Sequence, residues 1–160
     1  MRKHLEKFTP WSPILDVIVL DQFTKWWVVE KIGMGYRPSL ILNDYMALVM
    51  VWNRGISFGI LNHETMYMPY VLTALAVIIS AILLRFARRS KLLVERFAYG
   101  LVIGGALSNA IDRLRVGAVA DFFYVHYGQL GWPAFNFADA MICLGVGLLL
   151  IIQLRVAARS

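Results

Sequence analysis

The chain has 160 residues, of which 59% are hydrophobic, and its formal net charge is +6. About half of the residues of a soluble domain are apolar, so this excess, with a mean hydropathy of +0.63, indicates an integral membrane protein. The basic residues lie at the ends of apolar segments, which argues against nucleic acid as a partner and favours anionic lipid headgroups. The length allows one compact domain, and the single cysteine, Cys143, excludes an intrachain disulfide.

The first apolar segment covers about residues 11–29 and follows a short basic start. It contains Asp16, Asp21 and Lys25, is longer than the apolar part of a signal peptide, and is followed by no small-x-small cleavage site. We therefore predict an uncleaved transmembrane helix. Asp21 and Lys25 are four residues apart and share one helix face, where they can form an ion pair near the membrane surface.

Residues 33–64 are predicted to form a small extramembrane sheet, or platform. Helix-breaking glycines and a proline come first, and residues 45–52 are rich in side chains that suit strands. Asn53 and Arg54 at the end of this run could bind a backbone or a lipid headgroup. Ordinary turn chemistry is the alternative, because Asn followed shortly by Gly55 is a common turn signal.

The second and third apolar segments cover about residues 65–85 and 92–111. The second has no charged side chain before Arg85 and is the clearest transmembrane segment of the chain. The basic residues that follow it form a short loop, which should stay in the cytoplasm. In the third segment, Gly104 and Gly105 permit close contact with neighbouring helices.

Four polar residues lie at the far end of the third segment: Ser108, Asn109, Asp112 and Arg113. Ser108 and Asn109 could simply join helices by hydrogen bonds, and the charged pair could simply solvate the helix end. We favour structural support of an active site over direct chemistry for these residues.

The fourth segment covers about residues 138–155, with Asp139 in its first turn and Asn136 as a candidate cap. The positive end of the helix dipole favours a carboxylate at this position. Fifteen uncharged residues separate Asp139 from Arg155, which is about 22 Å of helix. The hydrocarbon core is roughly 30 Å thick. With Arg155 at the inner interface, Asp139 therefore lies at or slightly below the outer one.

Charge counting predicts four spans with both termini in the cytoplasm. The predicted inner side carries ten basic residues: Arg2, Lys3, Lys7, Arg85, Arg88, Arg89, Lys91, Arg96, Arg155 and Arg159. The predicted outer loops carry five: Lys31, Arg37, Arg54, Arg113 and Arg115. The platform at 33–64 and a second loop at 113–137 then share the extracytoplasmic face.

The stretch from residue 104 to 140 carries Asp121 and Asp139, which we interpret as a catalytic carboxylate pair at the membrane surface. Two neighbouring carboxylates cannot easily both ionise, so the pair holds an acid and a base together. Such a pair can activate water and protonate a leaving amine. Either residue alone could instead be an ordinary loop acid or helix-start acid. A triad of Ser108, His126 and Asp121 can also be drawn, but the sequence has no GxSxG motif and no metal-ligand spacing.

Six stretches together resemble the bacterial lipoprotein signal peptidases, also called signal peptidase II. They are DQFTK at 21–25, NRG at 53–55, FG at 58–59, GGALSNAIDR at 104–113, VADF at 119–122 and WPAFNFAD at 132–139. The resemblance implies an all-α membrane protein: a bundle of four transmembrane helices with a small extracytoplasmic β-cradle. It also implies an aspartic endopeptidase of the bacterial inner membrane that uses neither a cofactor nor a metal.

By the same resemblance, Asp121 and Asp139 are the catalytic dyad. The family's other characteristic polar positions, which shape and support the site, match Asp21, Lys25, Asn53, Asn109, Asp112, Arg113 and Asn136. We add Arg54 as a further candidate for substrate binding.

The implied substrate is a prolipoprotein whose cysteine already carries diacylglycerol, cut just before that cysteine. Membrane lipids and globomycin-type inhibitors are the other expected partners, and we expect a monomer. A small proton-coupled transporter is the alternative, because four spans with membrane acids permit it, although such acids should lie near the midplane. A non-catalytic assembly factor is a third interpretation.

Overall fold

The computed structural model of the chain describes residues 11–37, 39–55, 66–128 and 130–158. Predictions that concern residues 1–10, Pro38, residues 56–65 and Arg159 lie outside these ranges. Within the described ranges the elements are α1 (Trp11–Trp26), a π-helical turn (Trp27–Lys31), β1 (Ser39–Asn43), β2 (Met46–Asn53), α2 (Met68–Arg89), α3 (Leu93–Val116), β3 (Val119–Tyr127), β4 (Leu130–Gly131) and α4 (Phe137–Ala157). The chain is therefore mostly helical, with one small antiparallel sheet.

The helices continue past the charged residues at which the predicted segments stop. α2 ends at Arg89 rather than at residue 85, and α3 ends at Val116 rather than at residue 111. The predicted limits follow hydropathy, whereas a helix ends where its backbone bonding ends. For α3 this happens at Gly117, whose φ of 75° is the left-handed conformation typical of a helix C-terminus.

Two of the described helices, α2 and α4, are long and apolar enough to cross a membrane. Only 22% of the most apolar window of α2 and 6% of that of α4 are buried inside the protein, so these apolar side chains do not form a core. α1 has only 16 residues, and α3 carries Glu95 and Arg96 in its first turns. The prediction of four spans therefore stays a prediction for α1 and α3.

α3 lies at the centre of the helices and packs against α1, α2 and α4. The close contacts predicted for the two glycines are confirmed. A Cβ atom on Gly104 would lie 2.8 Å from Val17 Cβ of α1, and one on Gly105 would lie 2.6 Å from the carbonyl oxygen of Ala138 in α4. Because Gly104 and Gly105 have no side chain, α3 approaches the backbones of both α1 and α4 closely at these two residues.

The sheet has the strand order β1-β2-β3-β4 with antiparallel neighbours. It is larger than the predicted platform, because β3 and β4 come from the second loop, between α3 and α4. The segment predicted as a second loop at 113–137 therefore contains two strands, which the sequence analysis did not predict. Asp121 lies inside β3, opposite Val51 of β2. Pairing of β3 with β2 therefore determines the position of Asp121.

One small core holds the sheet against the end of the first helix. Val28 of the π-helical turn, Met34, Leu48 of β2 and Phe122 of β3 form a buried cluster. Phe122 follows Asp121 directly, and neighbouring strand residues point to opposite faces. Burial of Phe122 in this cluster therefore directs the Asp121 side chain to the other face of β3.

Candidate active site

Asp139 lies in the first turn of α4, as predicted, and forms a capping box with Asn136. The N–H of Asp139 donates to Asn136 Oδ1 at 3.0 Å, and the N–H of Asn136 donates to Asp139 Oδ2 at 3.3 Å. These bonds satisfy two backbone donors at the helix start, and the helix dipole favours a negative charge there. The predicted capping role of Asn136 is confirmed.

Asp121 is 2% exposed, and each of its carboxylate oxygens accepts a hydrogen bond from an asparagine. Asn53 Nδ2 donates to Asp121 Oδ2 at 3.0 Å, and Asn136 Nδ2 donates to Asp121 Oδ1 at 2.6 Å. Asn53 is the last residue of β2, two positions beyond Val51, which is the register partner of Asp121. Residues two apart on a strand share a face, so pairing of β2 with β3 brings Asn53 to the acid.

Asn136 therefore contacts both acids that the sequence analysis singled out. A short backbone ladder places it there: the N–H of Phe123 donates to Phe135 O at 2.8 Å, and the N–H of Phe135 donates to Phe123 O at 3.0 Å. The ladder holds the segment before α4 beside β3. Among the contacts of the described residues, the two carboxyl groups are joined through asparagines rather than by a direct hydrogen bond.

Asn109 of α3 forms a second link to Asp139. Its Nδ2 donates to Asp139 Oδ1 at 2.8 Å, while its Oδ1 accepts from Asn136 Nδ2 at 3.3 Å and from Lys25 Nζ at 2.9 Å. Both oxygens of Asp139 thus accept N–H groups. The structure brings Asn109 to the acids, where the sequence analysis predicted a supporting residue.

Lys25 lies in a buried charge cluster next to Asn109. Its Nζ atom is 2.6 Å from Asp21 Oδ2 and 2.6 Å from Asp112 Oδ2. The predicted ion pair with Asp21 is confirmed, and Asp112 on α3 is its second carboxylate. Ser108 also belongs to this cluster, because its Oγ donates to Asp21 Oδ2 at 2.7 Å.

Gln22 takes part in this cluster, although the sequence analysis did not single it out. Its Nε2 donates to Asp112 Oδ1 at 2.7 Å and to Ser108 Oγ at 3.1 Å, and its Oε1 accepts from Arg115 at 3.1 Å. The available signal was a polar side chain next to Asp21 within an otherwise apolar helix. Asp21 and Gln22 are neighbours in sequence and together bind three residues of α3.

Arg113 faces the acids, whereas Arg54 does not join them. One Nη atom of Arg113 donates to the carbonyl of Gly55 at 3.1 Å, and its charge interacts with Asp121 and Asp139. Arg54 is exposed and forms no hydrogen bond or ion pair with any of the described residues. Its predicted part in substrate binding stays a prediction.

The surroundings of Asp121 favour its protonated form. Burial raises the pKa of the Asp121 carboxyl from 3.8 to about 6, and the negative charge of Asp139 acts in the same direction. The hydrogen bonds from Asn53 and Asn136 and the charge of Lys25 oppose this change without cancelling it. An acid with such a pKa can exchange its proton near neutral pH, as a general acid or base must.

An apolar cavity of about 450 Å³ opens beside Asp139. Its walls are formed by the segment before α4 and by one face of that helix, with Trp132, Phe135, Ala140 and Cys143 among the lining residues. A cleft of about 160 Å³ lies elsewhere, between α1, α3 and the sheet, and reaches Lys25. The carboxylate of Asp139 is thus accessible from an apolar space.

The other constellations gain no support from the geometry. Ser108 donates its hydroxyl proton to Asp21, and the ring of His126 stacks against Tyr124 at 5.5 Å. Among the described residues, no group of three or more His, Cys, Asp or Glu side chains is arranged to hold a metal ion.

Comparison with known proteins shows the family of the chain. A sequence profile described as signal peptidase (SPase) II matches residues 14–155. The chain belongs to the signal peptidase II family. It is 43% identical over 150 residues to the lipoprotein signal peptidase of Azoarcus sp. (strain BH72), covering 91% of this chain and 83% of that protein. It is 41% identical over 141 residues to that of Syntrophotalea carbinolica, covering 87% of this chain and 86% of the relative.

Two solved structures of bacterial membrane enzymes, both determined by the in meso method, have a similar fold. One, at 2.3 Å resolution, has a TM-score of 0.79 and 26% identity, covering 92% of this chain and 88% of its own. The other, at 1.9 Å resolution, has a TM-score of 0.73 and 28% identity, with coverages of 89% and 90%. Family membership makes the chain an aspartic protease of a membrane, and nothing in these comparisons supports the alternative of a transporter.

Proposed function

We propose that this member of the signal peptidase II family removes the signal peptide from diacylglyceryl-modified prolipoproteins, with Asp121 and Asp139 as the catalytic dyad. The observation that carries the proposal is the double role of Asn136. It caps the helix that begins at Asp139, and it donates 2.6 Å to Asp121. One rigid asparagine therefore holds two acids from different elements at one site.

In the proposed reaction the dyad shares one proton. The ionised carboxyl takes a proton from a water molecule as that water attacks the carbonyl carbon of the residue before the lipidated cysteine. The protonated carboxyl then gives its proton to the nitrogen of that cysteine, and the C–N bond breaks. The products are a free signal-peptide carboxylate and a free amino group on the cysteine. No covalent intermediate forms.

The position of the dyad suits a substrate that stays in the membrane. About 22 Å of uncharged helix separates Asp139 from Arg155, so the acids meet the bilayer near its outer surface when Arg155 is at the inner one. Apolar groups of the substrate fit the cavity of about 450 Å³ beside Asp139. Arg113, which donates to the Gly55 carbonyl, supplies a positive charge that interacts with both acids.

The remaining parts of the proposal concern the location, the topology and the partners of the protein, and they rest on its sequence. The chain forms one peptidase domain of the bacterial inner membrane, with four spans, both termini in the cytoplasm and the active site on the extracytoplasmic side. It acts as a monomer, contacts membrane lipids and is inhibited by globomycin-type peptides. Cysteine labelling of single-cysteine variants from either side of the membrane tests this topology.

The test of function is cleavage of a synthetic diacylated prolipoprotein by purified protein in detergent. Asp121→Asn and Asp139→Asn are each expected to lower kcat by at least about 10²-fold, which is the usual contribution of a general acid or base. Asp44→Asn, at the exposed turn between β1 and β2, is the matched control and should cleave normally. Full processing by either dyad variant would refute the assignment, and loss of wild-type activity with a chelator would indicate a metal.

A further inference from the structure

The ammonium of Lys25 contacts three oxygen atoms. They are Asp21 Oδ2 and Asp112 Oδ2, each at 2.6 Å, and Asn109 Oδ1 at 2.9 Å. Lys25 is almost fully buried, with 6% of its surface exposed. Two ion pairs therefore hold the ammonium at the place where it donates a hydrogen bond to Asn109.

The two carboxylates that hold Lys25 are themselves fixed by other elements. Asp21 Oδ1 accepts the backbone N–H of Ala138 at 2.8 Å, and Asp112 Oδ1 accepts from Gln22 Nε2 at 2.7 Å. α1, α3 and the start of α4 therefore all contribute to the position of the ammonium. This is a rigid support and not a mobile surface ion pair.

The carboxamide of Asn109 has two possible orientations, related by a rotation of 180°. In the observed one, Oδ1 accepts from Lys25 while Nδ2 donates to Asp139 Oδ1 at 2.8 Å. In the other, the NH₂ group would face the ammonium and the oxygen would face the carboxylate, and both contacts would be repulsive. Lys25 therefore favours the orientation in which Asp139 accepts an N–H group, and Asn136 Nδ2, which donates to the same carboxamide oxygen at 3.3 Å, favours it too.

We propose that Lys25 is a positioning residue for the reaction: it holds the Asn109 carboxamide so that its N–H group faces Asp139. Lys25 forms no described hydrogen bond or ion pair with either acid of the dyad. Its charge lowers the pKa of Asp121 from a distance, and the positioning role proposed here is exerted through Asn109. This inference rests on the proposed dyad. It adds a specific consequence, which is that the effects of substituting Lys25 and Asn109 on catalysis are not independent.

A double-mutant cycle tests this consequence with diacylated prolipoprotein as substrate. Lys25→Met and Asn109→Ala are each expected to lower kcat by roughly 100-fold, the effect of a small misplacement of a catalytic group, with KM unchanged. The double variant should be no slower than Asn109→Ala alone, because Lys25 has nothing left to orient. If the two losses multiply, or if Lys25→Met keeps the wild-type kcat, the proposal is overturned. Lys31→Met, an exposed lysine that lies over Trp26, is the matched control.

Lys25→Met leaves two buried carboxylates without their cation, so a second variant keeps the test decisive if this one does not fold. Asn109→Asp keeps the shape of the side chain and the acceptor for Lys25, but it removes the N–H that faces Asp139. We expect kcat to fall roughly 100-fold, because an oxygen then faces the Asp139 carboxylate in place of the N–H group, and cleavage is measured below the melting temperature of the variant so that it is fully folded. Wild-type kcat in this variant overturns the proposal.

The results also separate this inference from the assignment of the dyad. If Asp139→Asn cleaves normally, the dyad is wrong and Lys25 has no catalytic group to position. If Asp139→Asn is inactive but the losses for Lys25 and Asn109 multiply, the dyad stands and the positioning role alone is wrong.

Discussion

Asp21 of the first helix accepts the backbone N–H of Ala138, 117 residues later, at a distance of 2.8 Å. Ala138 is the residue before Asp139, and its N–H is one of the donors that a helix start leaves without an internal partner. A carboxylate of α1 thus completes the first turn of α4. Through its other oxygen, Asp21 also binds Lys25 and Ser108. The side chain of Asp21 therefore connects α1, α3 and the start of α4.

Asp21→Ala is therefore expected to destabilise the whole fold. The substitution leaves Lys25 with one carboxylate and Ala138 with an unsatisfied buried N–H. Breaking a buried ion pair by removing one partner costs about 3–5 kcal/mol. The measurement is equilibrium unfolding of the detergent-solubilised protein. Asp16→Ala, on the exposed side of the same helix, should change the free energy of unfolding little, and equal stability of the two variants would contradict this reading.

Asn136 has two functions that a single substitution can separate. Serine is about as good a helix cap as asparagine, so Asn136→Ser should keep the free energy of unfolding within about 1 kcal/mol of the wild type. The shorter hydroxyl cannot replace the 2.6 Å bond to Asp121, so kcat should fall. Thermal unfolding and cleavage are measured on the same preparation. A parallel loss of stability and activity would mean that Asn136 acts only as a cap.

The raised pKa of Asp121 predicts a pH-dependent stability. Burial, with the charge of Asp139, raises this pKa to about 6 from the unfolded value of 3.8. Between these values the unfolded carboxyl is ionised while the folded one keeps its proton, so the folded state binds more protons and loses stability as the pH rises. The contribution is fully present below pH 3.8 and is lost above about pH 6.

Asp121→Asn should remove this effect, because the amide does not titrate. The free energy of unfolding of the variant relative to the wild type should therefore increase by about 2 kcal/mol from pH 4 to pH 7, since one pKa unit corresponds to about 1.36 kcal/mol. Denaturant titrations of both proteins at several pH values measure the difference. Parallel pH profiles would mean that the pKa of Asp121 is the same in the folded and unfolded chains.

The sequence predicts those parts of the site that depend on neighbouring residues. The pairing of Asp21 with Lys25 follows from one turn of helix, and the capping of Asp139 by Asn136 follows from the first turn of α4. Both relations are present in the structure. They could be predicted because the helix geometry alone determines which side chains meet.

Contacts between distant segments could not be predicted in this way. The bond from Lys25 to Asp112 depends on how α1 packs against α3, and close packing at Gly104 sets that arrangement. The strand that carries Asp121 was missed for a similar reason. Its residues suit a strand, but only pairing with β2 makes them one, and the sequence does not specify that partner.

Gly105, at the contact between α3 and α4, allows a test of how closely the rate of cleavage depends on the position of Asp139. A Cβ on Gly105 would lie 2.6 Å from the carbonyl oxygen of Ala138 and 2.7 Å from Ile142 Cγ1. The carbonyl belongs to the backbone of α4 and cannot rotate away. Gly105→Ala should therefore push the start of α4 outward, at a cost typical of overpacking, about 1–3 kcal/mol.

The displaced turn carries Asp139, so Gly105→Ala should lower kcat more than its loss of stability alone explains. Gly147→Ala is the matched control, because no atom lies within 4 Å of the Cβ that it would add, and alanine suits a helix better than glycine. Cleavage is measured well below the melting temperature of both variants, so that each is fully folded. If Gly105→Ala then cleaves as fast as Gly147→Ala, the dyad tolerates a shift of the helix that carries one of its acids, and close packing at Gly105 serves stability alone.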